Sequence, residues 1–146
     1  MVDETFTAYD IRGKIQEGVS LDVAWNIGKA FADWLPTYGT VAVLRGEGAD
    51  ETLLGAVIEG LRLQGRNVVD YGQNTKEKVG EIIKDQGYSG AVFTAFDSEQ
   101  RVTVTELYDD KGALIVAENG LNEIAEAVRG GNFVPAAEKG EFTAIA

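Results

Sequence analysis

Three short segments hold side chains whose types and spacing could do chemistry. Arg45-Gly46-Glu47-Gly48-Ala49-Asp50 sits between an apolar run and a helical period. Glycines there would free backbone N–H groups to face a phosphate, and the Arg45 guanidinium would add a matching charge. The segment lacks both the Walker lysine pattern and a complete G-x-G-x-x-G, and Glu47 and Asp50 would repel an anion. A plain turn is therefore the stronger reading of the spacing. Ala95-Phe96-Asp97-Ser98-Glu99-Gln100 offers Asp97 and Glu99 as a carboxylate pair and Ser98 as a nucleophile or phosphorylation site. Neither has a visible activator, and turns use such residues for local hydrogen bonds, which favours a solvated acidic loop. Tyr9-Asp10-Ile11-Arg12-Gly13-Lys14 sets two cations beside a glycine. Arg12 is the best single anion-binding candidate on electrostatic grounds, and an Arg–Asp surface pair in a turn fits the spacing equally.

These segments need elements to position them. Ser20 is placed to cap a helix whose apolar residues Ala24, Ile27, Phe31 and Leu35 recur at helical spacing until Pro36. Thr40 to Leu44 is a continuous apolar run of strand length, as in a sheet covered on both faces. The pattern then repeats. Asp50 caps a helix through Leu53, Leu54, Val57, Ile58 and Leu61, and Asn67 to Tyr71 is the next strand. Thr75 caps a third helix with Val79, Ile82 and Ile83, and Gly90 to Thr94 is a third buried strand. This alternation predicts βαβ units, a largely parallel sheet and helices on both faces. In such sheets ligands bind at the carboxyl ends of the strands, here the loops after Leu44, Tyr71 and Thr94.

From Arg101 to Tyr108 the period becomes two, with Val102, Val104 and Glu106 alternating against Thr103, Thr105 and Leu107. That predicts an antiparallel, half-exposed strand near the sheet edge. A turn at Asp109 to Gly112, a short return from Ala113 to Val116, and a last helix capped by Asn119 and running to Gly130 complete the pattern. The tail from Gly131 has no clear period and is either loose or docked. Trp25, Phe31 and Trp34 read as packing residues of the first helix rather than as a ligand box.

Composition narrows the chemistry. The 146 residues suit one domain, and with no cysteine and no histidine there is no disulfide, thiolate, imidazole ligand or Ser-His-Asp triad. Thirteen Lys+Arg against 24 Asp+Glu give a net charge of −11, which disfavours nonspecific attraction to nucleic acid or anionic membrane. The acidic N-terminus does not read as a signal peptide, and no apolar run approaches a membrane span, so the expected setting is cytoplasmic.

Phe6-Thr7-Ala8-Tyr9-Asp10-Ile11-Arg12-Gly13 resembles the opening motif of the α-D-phosphohexomutases, the phosphoglucomutase/phosphomannomutase family. Val41-Ala42-Val43-Leu44-Arg45 stands where that family has a strand leading into Gly-Arg-Asp. Ile58-Glu59-Gly60-Leu61, then Gly65 and Val68-Val69-Asp70-Tyr71-Gly72, resembles its next helix and strand. The likeness covers nearly the whole chain. It implies the family's first domain, a three-layer α/β/α fold with a mixed, mostly parallel sheet, and it puts Tyr9, Arg12 and Arg45 near the active-site phosphate.

The resemblance breaks at the reacting group. Family members have a Thr-Ala/Gly-Ser-His-Asn-Pro loop whose serine carries the exchanged phosphoryl group and helps hold magnesium. Here the loop is Thr94-Ala95-Phe96-Asp97-Ser98-Glu99, with phenylalanine at the serine position and no oxygen to phosphorylate. Leu44-Arg45-Gly46 replaces the Gly-Arg-Asp loop, Gly48 its second arginine, and Gln73-Asn74-Thr75-Lys76 a proline-containing turn. The family's metal, sugar and phosphate-anchoring loops lie in domains two to four, and no Asp-Gly-Asp pattern occurs here.

The resulting expectation is a stand-alone, catalytically inactive first domain over residues 1–131, followed by a tail over 132–146, with no catalytic residue and no cofactor. A phosphate or phosphosugar contact would run through Tyr9, Arg12 and Arg45. A protein partner or a homo-oligomer is the other expected association. The alternatives are one subunit of a split mutase and a self-associating module.

Overall fold

The computed structural model describes residues 11–13 and 21–145. The expected cap at Ser20 lies outside them. Strand β1 (Ile11–Gly13) is followed by helix α1 (Leu21–Trp34), β2 (Val41–Arg45), α2 (Glu51–Leu63), β3 (Val68–Gln73) and α3 (Glu77–Gln86). Then come β4 (Gly90–Asp97), β5 (Val102–Tyr108), a 3-10 turn at Ala117–Asn119, α4 (Leu121–Gly130) and β6 (Phe142–Ala144). The six strands form one sheet in the order β1-β5-β4-β2-β3-β6. β2 is parallel to both β3 and β4, and β6 is parallel to β3, whereas β5 is antiparallel to both β4 and β1. The fold is thus the expected three-layer α/β/α architecture with a mixed, mostly parallel sheet.

Two cores explain the layering. On one face α1, α2 and α4 bring Ile27, Phe31, Leu54, Val57, Leu61 and Ile124 onto Val41, Val43 and Val92. On the other, α3 is the one helix among the described residues that covers the sheet, with Val79 and Ile83 packed on Ala42, Leu44, Ala91 and Phe93. The central strands β2 and β4 are therefore buried on both sides, which is why they read as unbroken apolar runs.

Helices α1 and α2 meet at a glycine pair. A Cβ on Gly28 would lie 2.1 Å from the Val57 carbonyl oxygen, and one on Gly60 would lie 2.2 Å from that of Trp25. Only glycine lets the two backbones approach so closely. Of the aromatic residues on α1, Phe31 is fully buried. Trp34 donates from Nε1 to Glu123 of α4 at 3.2 Å. Trp25 stays 38% exposed, with the Lys29 ammonium 4.4 Å from its ring centre.

Several boundaries differ from the sequence reading. Asp50 does cap α2, its Oδ1 accepting from the Leu53 N–H at 2.9 Å. Thr75 does not cap α3: the cap position is Lys76, which makes no side-chain cap bond, and the Thr75 carbonyl accepts from the Lys78 N–H instead. Asn119 does not cap α4 either. Its Oδ1 turns back to accept from the Val116 N–H at 2.7 Å, and Gly120 takes the cap position. The expected return at Ala113 to Val116 is reduced to a bridge between Tyr108 and Leu114.

The segment after Gly131 is docked. The Ala136 N–H donates to the Leu63 carbonyl and the Gly140 N–H to the Arg62 carbonyl, while Arg62 Nε returns a bond to the Gly140 carbonyl at 2.9 Å. Lys139 pairs with Glu59. Past this clamp, β6 adds to β3 in the register Val68–Phe142, Val69–Thr143 and Asp70–Ala144.

Beneath the α1–β2 connection lies Arg66, only 5% exposed. Its guanidinium donates to the carbonyls of Ala32, Leu35, Thr37 and Gly39, at 2.5 to 3.4 Å. It satisfies acceptors that the end of α1 would otherwise leave without partners. Burial pulls its pKa below the ordinary arginine value, against the opposing pull of Asp33 and Tyr38.

Candidate functional site

The carboxyl ends of β2, β3 and β4 lie side by side, and most of the singled-out residues gather there. Tyr9 lies outside the described residues. Arg12 is in β1, level with Val104 of β5, which is in turn level with Ala95 of β4. Arg45 ends β2 directly opposite Thr94. Arg45 and the Arg12 backbone therefore stand on opposite sides of β4, about three strand spacings or ~14 Å apart.

The segment expected as a loop after Thr94 is largely strand. β4 continues through Ala95 and Phe96 to Asp97, because β5 pairs with it along its whole length, Phe96 facing Thr103 and Asp97 facing Val102. Thr94 is fully buried, its hydroxyl 3.2 Å from that of Thr105. Only Ser98 to Arg101 remain as a hairpin turn, closed by Asp97 Oδ1, which accepts from the N–H groups of Glu99 and Gln100. Asp97 and Glu99 therefore do not face each other as an acid/base pair. Ser98 is exposed at the hairpin tip.

Phe96 is held from both sides. Its N–H donates to the Glu47 carbonyl at 3.2 Å, and the Gly46 N–H donates to the Thr94 carbonyl at 2.8 Å. The Arg45–Ala49 turn thus lies across the end of β4. A Cβ on Gly48 would come 2.9 Å from the Phe96 Cβ, so the phenylalanine packs directly under this turn while the residue as a whole stays 45% exposed.

Arg45 is enclosed by carboxylates. Its Nη2 donates to Asp70 Oδ2 at 2.7 Å, with the two side chains 18% and 11% exposed. Its Nε is buried, 3.2 Å from Glu51 Oε2, without a well-aligned hydrogen bond. Asp70 also shapes the backbone. Its Oδ1 accepts from the Gly72 N–H at 2.8 Å, and Gly72 takes φ +72° where the β2–β3 register slips by one residue between Val43 and Arg45. A bulge of this kind re-aims the residues beside it. Neither carboxylate stood out as a site residue in the sequence, although Asp70 is the first charge in an otherwise apolar strand and Glu51 opens the helix after the Arg45 turn.

On the α3 face of the same strand ends, Lys76, Phe93, Ala95, Asp97, Val104 and Glu106 line a shallow cavity of about 210 Å³. The Tyr108 hydroxyl donates to Glu106 Oε1 at 3.0 Å, and the Tyr71 and Tyr88 hydroxyls meet at 2.7 Å. Burial, then Glu106, drives the Tyr108 pKa well above the ordinary tyrosine value, and burial, then Tyr71, does the same for Tyr88. Raised native values favour the folded state below the unfolded pKa of about 10, and that contribution is lost as the pH rises beyond it. Denaturant unfolding is accordingly expected to give the same stability from neutral pH to about pH 9 and a lower one at about pH 11. In Tyr88→Phe and Tyr108→Phe chains this alkaline loss should shrink, and an equal loss in parent and variants would refute the assignment.

Among the described residues, the donors at this strand end do not assemble a magnesium site. Phe96 offers no oxygen, one oxygen of Asp97 closes the hairpin, and among the described residues no three carboxylates converge.

Fold and site together define the class: an α/β/α unit whose loops converge at the carboxyl ends of parallel strands. No family model matches the chain. The phosphomannomutase of Escherichia coli (strain K12) is 30% identical over 136 residues, covering 91% of this chain and 29% of that protein. A phosphomannomutase of Klebsiella pneumoniae is 29% identical, covering 89% of this chain and 83% of that one. In fold, the chain is similar to a phosphoglucomutase/phosphomannomutase family protein of Burkholderia thailandensis, with a TM-score of 0.67 at 23% identity over 97% of this chain and 32% of the other. The chain is a family-level match to the phosphoglucomutase/phosphomannomutase superfamily, with the size of one first-domain unit of its larger members. It spans about 30% of the length of the first relatives it matches. Among the described residues no helix is long and apolar enough to cross a membrane.

Proposed function

We propose that this chain is a first-domain unit of the phosphohexomutase type that does not transfer phosphoryl groups through its own residues and serves instead in binding or assembly. One observation supports this above the others. Where the resemblance places the phosphorylated serine, Phe96 is fixed in the β4–β5 ladder under Gly48, and of the two nearest hydroxyls in sequence Thr94 is fully buried against Thr105 and Ser98 is exposed on the hairpin turn. A covalent route needs an activated nucleophile at that point, and phosphoryl transfer otherwise depends on positioning and charge stabilisation. The neighbouring cation, Arg45, is already paired. Phe96 also counts against a split enzyme, since an assembled complex would still lack the serine.

The purified chain is expected to leave glucose 1-phosphate and mannose 1-phosphate unconverted in a coupled assay, and intact-mass analysis should find no added phosphate. Turnover dependent on the chain, or a stable phosphate on Ser98, would refute the reading.

A further inference from the structure

We propose that Asp70 and Glu51 occupy Arg45 in place of an external anion, so that this strand end is closed to phosphate by two of the chain's own carboxylates. The inference rests on the reading of the strand end given above and deepens it.

The geometry supports it in three ways. Asp70 is fixed independently of Arg45, because Oδ1 is held by the Gly72 N–H at the bulge while Oδ2 takes Arg45 Nη2 at 2.7 Å. A carboxylate anchored through its second oxygen loses little freedom in holding the guanidinium. Both partners are largely shielded from water, which strengthens their attraction relative to a surface pair. Glu51 supplies a second negative charge on the Nε side, at 3.2 Å, so one cation faces two anions. Among the described residues, Glu47 and Asp50 sit in the same turn and add to the repulsion. A phosphate approaching Arg45 therefore meets net negative charge and must displace a carboxylate already held at hydrogen-bonding distance.

Glu51 is mostly exposed and Asp70 is not, so the two substitutions differ in structural risk. The test titrates inorganic phosphate, and separately glucose 1-phosphate, into the parent, Glu51→Gln, Asp70→Asn and double-variant chains, following arginine Nε–H NMR signals. The parent should give the weakest binding at Arg45 of the four chains. Glu51→Gln should bind phosphate a few-fold better than the parent, and Asp70→Asn about tenfold better, as removing a shielded charge beside a cation requires. Arg45→Ala in the double variant should abolish the gain.

Saturable binding at Arg45 in the parent equal to that of the variants overturns the proposal, as does a gain that survives Arg45→Ala. Folded Glu51→Gln without any gain also overturns it, whether or not Asp70→Asn folds. Sugar phosphate turnover would refute the non-catalytic reading and leave these titrations standing. Phosphate binding gained without turnover supports both.

Discussion

Replacing Arg66 by methionine is expected to lower the thermal midpoint by about 10 °C, a loss of roughly 3–5 kcal/mol. Methionine fills much of the same volume but has no donor. The carbonyls of Ala32, Leu35, Thr37 and Gly39, which now accept from the guanidinium, would be left facing apolar atoms or a reorganised loop. Buried acceptors stripped of a partner lose their desolvation energy without return, and the negative end of α1 loses a cation besides. Lysine keeps the charge but not the planar fork, so Arg66→Lys should fall between the two. A methionine variant that melts within about 2 °C of the parent would show that water replaces the guanidinium without cost.

The second large effect belongs to the helix crossing. Gly28→Ala would place a Cβ 2.1 Å from the Val57 carbonyl oxygen, a backbone atom inside α2 that cannot rotate away as a side chain would. The helices must separate, opening the core around Phe31 and Leu61, at a cost of about 3 kcal/mol. Gly60→Ala is the reciprocal clash, against the Trp25 carbonyl. Gly55, on the exposed side of α2 with nothing within 4 Å of its would-be Cβ, is the control: alanine there should stabilise by about 0.5–1 kcal/mol. Denaturant midpoints of the three variants decide the matter. Gly28→Ala and Gly55→Ala moving in the same direction would contradict the packing argument.

The layered fold was legible because the strands are buried on both faces and so run apolar without interruption, while the helices repeat their apolar residues at helical spacing. Val41 to Leu44 and the Leu53 to Leu61 stripe needed no tertiary information. Caps were less legible: Thr75 and Asn119 have the right chemistry and nearly the right place, but in the folded chain Asn119 satisfies Val116 and Thr75 offers only its carbonyl. The extent of β4 could not be read locally, because Phe96 and Asp97 are strand residues only by virtue of β5 beside them.

The candidate site was legible in its strand-end position and in Arg45, and illegible in its electrostatics. Asp70 lies 25 residues beyond Arg45 in sequence, and only the β2–β3 register brings the two together. Arg66 was hidden for the same reason, since an arginine at the end of a helical stretch gives no sign that it will be buried under the connection from another helix.

The parallel edge strand β6 bears on how the chain is made. Synthesis delivers α1 to β5 long before residues 142–144, which β3 needs as its outer neighbour. Until Ile145 clears the ribosome to donate its N–H to the Asp70 carbonyl, the Val68–Asp70 edge stands open on a sheet otherwise ready to assemble. An open edge of that kind pairs readily with a second nascent copy, so the interval between the emergence of β5 and the docking of β6 leaves this sheet edge open to aggregation.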